Sequence, residues 1–149
     1  MFYILEDRYV VVEDPKTYDD ARANCEAMGR KLFEPKSAES NDEVISLARD
    51  NNMDSFWIGV DDLAQEGDFT YESDETSVTY TDWEIGMPDN YLNNEHCVQI
   101  FNYGNVDTPN YKWNDQDCNA VLKSICEKTE TGKQELGISR KCQKAPFLT

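Results

Sequence analysis

The chain has 149 residues, 39% of them apolar and 11% aromatic, enough to bury the core of one ordinary domain but not of two. Thirty acidic residues against fourteen basic ones leave a formal charge of -16. Such a surface repels the phosphates of nucleic acid and an anionic bilayer, and favours divalent cations as partners. No apolar run approaches the roughly 18 residues of a membrane span, so no membrane insertion is expected, and Met1 to Leu5 is too short an opening for a signal peptide.

The first expected helix opens on Thr17 as N-cap, with Asp19 and Asp20 in its first turn. Ala21, Cys25 and Met28 follow at helical spacing, and Gly29 stops it. A second helix opens on the capping box of Ser40 and Glu43, carries Val44, Leu47 and Ala48 as its apolar stripe, and ends near Asp50-Asn51-Asn52. Short runs of β type come next: Phe56 to Val60, Phe69 to Tyr71, Val78 to Tyr80, Cys97 to Phe101 and Val121 to Cys126, separated by Gly, Asp and Asn clusters. The result is an α+β domain with helices early and strands late. Between Thr81 and Glu95 there is little apolar content and no regular period, which in a compact domain marks a functional loop. Residues 127 to 149 hold five Lys or Arg against three Glu, about +2, and leave about -18 on residues 1 to 126. That shift sets a domain over residues 1–127 and a C-terminal tail over 128–149.

Cysteines fall at 25, 97, 118, 126 and 142. With no Cys-x-x-Cys pair and a lone His96, disulfides in an oxidising, extracellular compartment suit them better than a zinc cluster. The four at 25, 97, 118 and 126 admit three pairings. Cys142 is left over, either as an unpaired thiol or as a bridge to a second copy in a homodimer, where paired sites would gain strength through effective concentration. Around Cys97 and Cys118 crowd Met87-Pro88-Asp89-Asn90, Glu95-His96 and Trp113-Asn114-Asp115-Gln116-Asp117. Carboxylate and amide oxygens in that density suit a hard cation, calcium above all.

Several motifs carry a family resemblance. Thr17-Tyr18-x-x-Ala21-x-x-x-Cys25, Phe56-Trp57-Ile58-Gly59 and Trp113-Asn114-Asp115-x-x-Cys118 together resemble the C-type lectin-like domain, in order and spacing, over roughly residues 3 to 127. The resemblance implies two helices with antiparallel β-sheets and a long irregular loop region for calcium and ligand. It also implies the pairs Cys25 with Cys126 and Cys97 with Cys118, without the extra amino-terminal pair of the family's long form. The family's main calcium positions fall on Met87, Asp89, Glu95, Asn114 and Asp115. Four of these bear oxygen; Met87, where sugar-binding members hold Glu or Gln, offers only a soft thioether. Pro88 between two ligand positions is expected to be cis, which would turn both flanking side chains toward one ion. An auxiliary calcium would fall on Asp62, Glu66, Asn90 and Glu95, with His96 where an acid is usual. Sugar contact would fall on Asp89, Glu95 and Asn114. Asp89 matches the galactose-type half of the family's two-residue code, and Tyr91 stands where an aromatic stacks on the sugar ring.

One histidine, no Gly-x-Ser-x-Gly elbow and no glycine-rich phosphate loop give an enzyme reading little support. Trp57, Trp83 and Trp113 lie in apolar or motif segments and are expected to pack rather than to bind sugar. The expectation is therefore a secreted, calcium-dependent, carbohydrate-binding lectin of galactose type. A scaffold that engages protein, mineral or ice without sugar is the alternative.

Overall fold

The computed structural model describes residues 8–129. Its order is β1 (Tyr9–Lys16), α1 (Tyr18–Ala27), β2 (Arg30–Leu32), α2 (Ala38–Asp50), β3 (Ser55–Asp61), β4 (Thr70–Tyr71), a short 3-10 turn (Tyr91–Asn93), β5 (Cys97–Asn102), β6 (Tyr111–Gln116) and β7 (Leu122–Lys128). The α1 helix begins as its sequence predicts: Thr17 Oγ1 accepts the Asp20 N–H at 3.3 Å, and Gly29 beyond its end sits at φ +72°, a conformation open to glycine. The start of α2 differs from expectation. Ser37, not Ser40, is the N-cap, its Oγ accepting the Ser40 N–H at 3.1 Å. Glu43 does not turn back to close a capping box; its carboxylate instead accepts from Arg8 and the Tyr9 hydroxyl. Long-range partners for that acid outweigh the local one.

Seven strands form one sheet in the order β1-β7-β3-β5-β6, with β2 on β7 and β4 on β3. The sheet is mixed rather than wholly antiparallel, because β3 meets β7 in parallel through Trp57 and Ser124. Helices first and strands last also needs correction. The branched run Val10-Val11-Val12 makes an opening strand, which pairs antiparallel with Cys126, Ile125 and Ser124. Val78 to Tyr80 is not a strand. The β4 turn supplies only one isolated bridge, Thr70 with Ser77, and one bond from Val78 N–H to the Phe69 carbonyl, while the Val78 and Tyr80 side chains still pack on the core.

Period-2 alternation along β3 sends Phe56, Ile58 and Val60 into one core with Val44 and Ala48 of α2, and Trp57 into another with Tyr18, Ala21 and Cys25 of α1. Helices therefore cover opposite faces of the central strand. Trp57 and Trp113 are fully buried, and Trp83 stands edge-on to Trp113 at 5.5 Å between centroids, so all three rings pack as expected. Disulfides join Cys25 to Cys126 and Cys97 to Cys118. Cys142 and nearly all of the expected tail lie outside the described residues. Among the described residues no helix is long and apolar enough to cross a membrane.

Candidate metal centre

Alternation along β6 buries Tyr111, Trp113 and Asp115 and leaves Lys112, Asn114 and Gln116 half-buried. Trp113 anchors that row: its indole N–H donates to Asn41 Oδ1 of α2 at 3.1 Å, and its backbone N–H donates to the Asp82 carbonyl at 2.8 Å. Beyond it Asp115, with no solvent exposure, accepts the N–H of Asp89 at 3.1 Å on one oxygen and that of Asn90 at 2.6 Å on the other. A buried carboxylate thereby docks the long loop onto the sheet. The Met87-Pro88 peptide is cis, as expected. Asn90, in the left-handed region at φ 44°, accepts the Glu95 N–H on its side-chain oxygen, and Glu95 in turn accepts the Tyr91 N–H. These reciprocal bonds close residues 90–95 into a turn.

Carboxylate oxygens of Asp89, Glu95 and Asp115 converge so that one from each lies within 4.8 Å of the others. Among the described residues no Lys or Arg forms an ion pair with any of the three. Burial, with the charges of Asp115 and Asp89, pushes the Glu95 carboxyl up to about 7. Three acids brought together without a compensating cation suit a hard divalent ion, and an all-oxygen donor set suits calcium. Asn114 is next along β6, its Nδ2 donating to Gln99 Oε1 at 2.8 Å, which leaves its carbonyl oxygen as the atom it could offer an ion. Met87 is half-buried, with its backbone N–H on the Glu84 carbonyl and no side-chain oxygen to contribute. Tyr91 is 62% exposed on the 3-10 turn beside the cluster.

A second cluster holds Asp62, Glu66 and His96. Sequence resemblance groups Asp62 and Glu66 with Asn90 and Glu95. In the structure the Asn90 side chain accepts the Glu95 N–H, and His96 stands between the two acids, 3.1 Å from each. Burial, followed by the Asp62 charge, raises the Glu66 carboxyl above its ordinary value.

Sequence reasoning missed the supports. Asp82 at the root of the loop accepts from Asn41 Nδ2 at 3.0 Å and from Lys112 at 2.9 Å, tying α2, loop and β6 together. Gln99, buried on β5, accepts from both Asn114 and Gln116. Asn41, set among the apolar positions of α2, was the available signal: a polar side chain on a buried helix face needs partners.

Residues 14–128 match the family model described as Lectin C-type domain. The chain belongs to the C-type lectin domain family, and its two helices and mixed sheet are that family's fold. An α-N-acetylgalactosamine-specific lectin from Patiria pectinifera is 32% identical over 123 residues, 78% of this chain and 70% of that protein. The C-type carbohydrate-recognition domain of cow CD23, solved in the presence of a GlcNAc2Man3 oligosaccharide, superposes with a TM-score of 0.69 at 30% identity, covering 80% of this chain and 85% of that one. Collectin-11 from Danio rerio is 29% identical over 119 residues, 80% of this chain; the chain spans only 41% of that relative's length.

Proposed function

We propose that this chain is a calcium-dependent, carbohydrate-binding lectin domain of galactose type that works outside the cell. The observation that carries the reading is the convergence of Asp89, Glu95 and Asp115 within 4.8 Å of one another on a loop docked by Asp115. In this reading Asp89, Glu95, Asn114 and Asp115 hold the ion, and two sugar hydroxyls complete the 6 to 8 oxygens that calcium takes. Asp89 and Glu95 accept from those hydroxyls while the Asn114 amide donates. Exposed Tyr91 offers its ring to the apolar face of the sugar. Without an oxygen at Met87 the ion is held by fewer protein groups than in members with Glu or Gln there, so its affinity is lower. Galactose type rests on Asp89 and on the specificity in the name of the Patiria relative. The extracellular setting rests on the two disulfides. The role is binding, not catalysis.

A calcium titration followed by galactose and mannose competition on one sample tests the reading. Retention on immobilised galactose is expected with calcium, and is lost on chelation and in Asp89→Ala. Competition by mannose alone would remove the galactose assignment. Binding indifferent to both chelator and Asp89→Ala would leave a scaffold that engages protein, mineral or ice.

A further inference from the structure

We propose that the cavity between the end of α2 and the β5–β6 turn is a second glycan subsite, one that needs no metal and takes a neutral, polyhydroxylated sugar unit. The cavity holds about 340 Å³, at the small end of the about 300 to 1,000 Å³ usual for ligand pockets. Backbone bonds hold its walls. The Asn102 N–H donates to the Asp54 carbonyl at 2.8 Å, which ties the end of β5 to the approach to β3, and the Tyr111 hydroxyl donates to the Met53 carbonyl at 2.8 Å. The β5–β6 turn is closed on two side chains: Asn102 Oδ1 accepts the N–H of Gly104 and of Asn110, and Asn105 Oδ1 accepts those of Asp107 and Thr108. Gly104 packs so closely that a Cβ there would stand 2.1 Å from the Thr108 carbonyl oxygen.

The donors and acceptors left over select the ligand. Among the described residues Arg49, in the last turn of α2, forms no ion pair, whereas Arg8, Lys16, Arg22, Lys31, Lys36, Lys112 and Lys123 each hold a carboxylate. Asp50 and Asp54 line the same cavity, and among the described residues neither pairs with a cation. An anion entering would meet these two acids and the formal charge of -16 on the chain, and a cation would meet the guanidinium. A hydroxyl suits both, because it donates to a carboxylate and accepts from a guanidinium. With its oxygen committed to the turn, Asn105 has its amide nitrogen left to donate, and Asn52 adds a second amide. Beside these polar groups Val106, 93% exposed, Pro109 and Tyr111 give apolar surface, which suits the C–H face of a sugar ring. Tyr111 lies four residues before Asp115 on β6, about 13 Å at about 3.3 Å per residue, and the cavity shares no residue with the proposed ion cluster.

Because no ion takes part, occupancy is read in chelator, where galactose-type binding at the ion cluster is expected to vanish; the two sites therefore fail separately. The test is an NMR titration of the full chain, disulfides intact and calcium chelated, with the methyl glycosides of glucose, galactose and N-acetylglucosamine, and with acetate and methylammonium as charged controls. Saturable shifts are expected at the amides of Asn52, Asn105 and Val106 with at least one glycoside and with neither control. Arg49→Ala and Asp54→Asn, both at exposed positions, should each weaken binding about tenfold or more while circular dichroism stays unchanged. No saturable shift with any glycoside, shifts confined to residues 81–96, binding undiminished in either variant, or saturable shifts of these amides with a charged control would each overturn the proposal.

Discussion

The two ends of the sheet are built on different principles. At β1, β7 and β3 order comes from apolar side chains and from a disulfide spanning 101 residues between Cys25 and Cys126. Beyond β6 the long loop is held by polar groups: Asp115 on the N–H of Asp89 and Asn90, Asn90 with Glu95, and Asp82 with Asn41 and Lys112. The first region draws on no group proposed to hold an ion. In the second, the carboxylates that fasten the loop are the same ones proposed to hold the ion, so loop order and ion binding draw on one set of atoms.

The largest expected effect breaks the first region. Replacing Cys25 and Cys126 with Ser should cost about 4 to 5 kcal/mol in denaturant unfolding, since the bridge closes a loop of 101 residues. Next comes the ion. Calcium at a hundred times its dissociation constant should stabilise the chain by about 2.7 kcal/mol, and Asp115→Ala should erase that gain. Amide exchange should localise it: chelation should speed exchange over residues 81–96 and leave β3 protected. Asn41→Ala, at the join of the regions, strands the Trp113 indole N–H and an oxygen of Asp82. It should cost about 1 to 3 kcal/mol by the same unfolding measurement.

The most gradual effect is a pH slope in the scaffold. Burial pushes the carboxyls of Glu72 and Glu127 from 4.5 up to about 7. A carboxyl raised in the folded state gives stability that is complete below the unfolded value of 4.5 and is lost as pH rises through about 7. Unfolding of the chelated protein should therefore become easier from about pH 5 to 8, and Glu127→Gln should flatten that slope.

Much of the scaffold was legible because local chemistry and tertiary context agreed. Thr17 and Gly29 bound α1 as read, and the apolar runs of β3 and β5 are strands in place. Legibility failed where the two diverged. Ser40 is a plausible cap, yet Ser37 lies one turn earlier and Glu43 is taken by Tyr9 and Arg8, partners 34 and 35 residues away in the chain. In β6 the signature motif masks a strand, although its alternation of Tyr111, Trp113 and Asp115 with Lys112, Asn114 and Gln116 is that of a half-buried strand. Of the proposed ligands, carboxylate oxygens of Asp89, Glu95 and Asp115 converge, and His96 lies with Asp62 and Glu66. Motif spacing places residues along the chain; which side chain faces which is decided by backbone bonds such as those Asn90 makes, and these have no signature in one sequence.

The pairing of Tyr9 with Glu127 has an architectural consequence. It seats the entry and exit of the described fold side by side on β1 and β7, while the candidate ion cluster is served by β6 at the far side of the sheet. A domain wired in this way can be spliced into a longer polypeptide, or tethered from either direction, like a plug with both leads at its base.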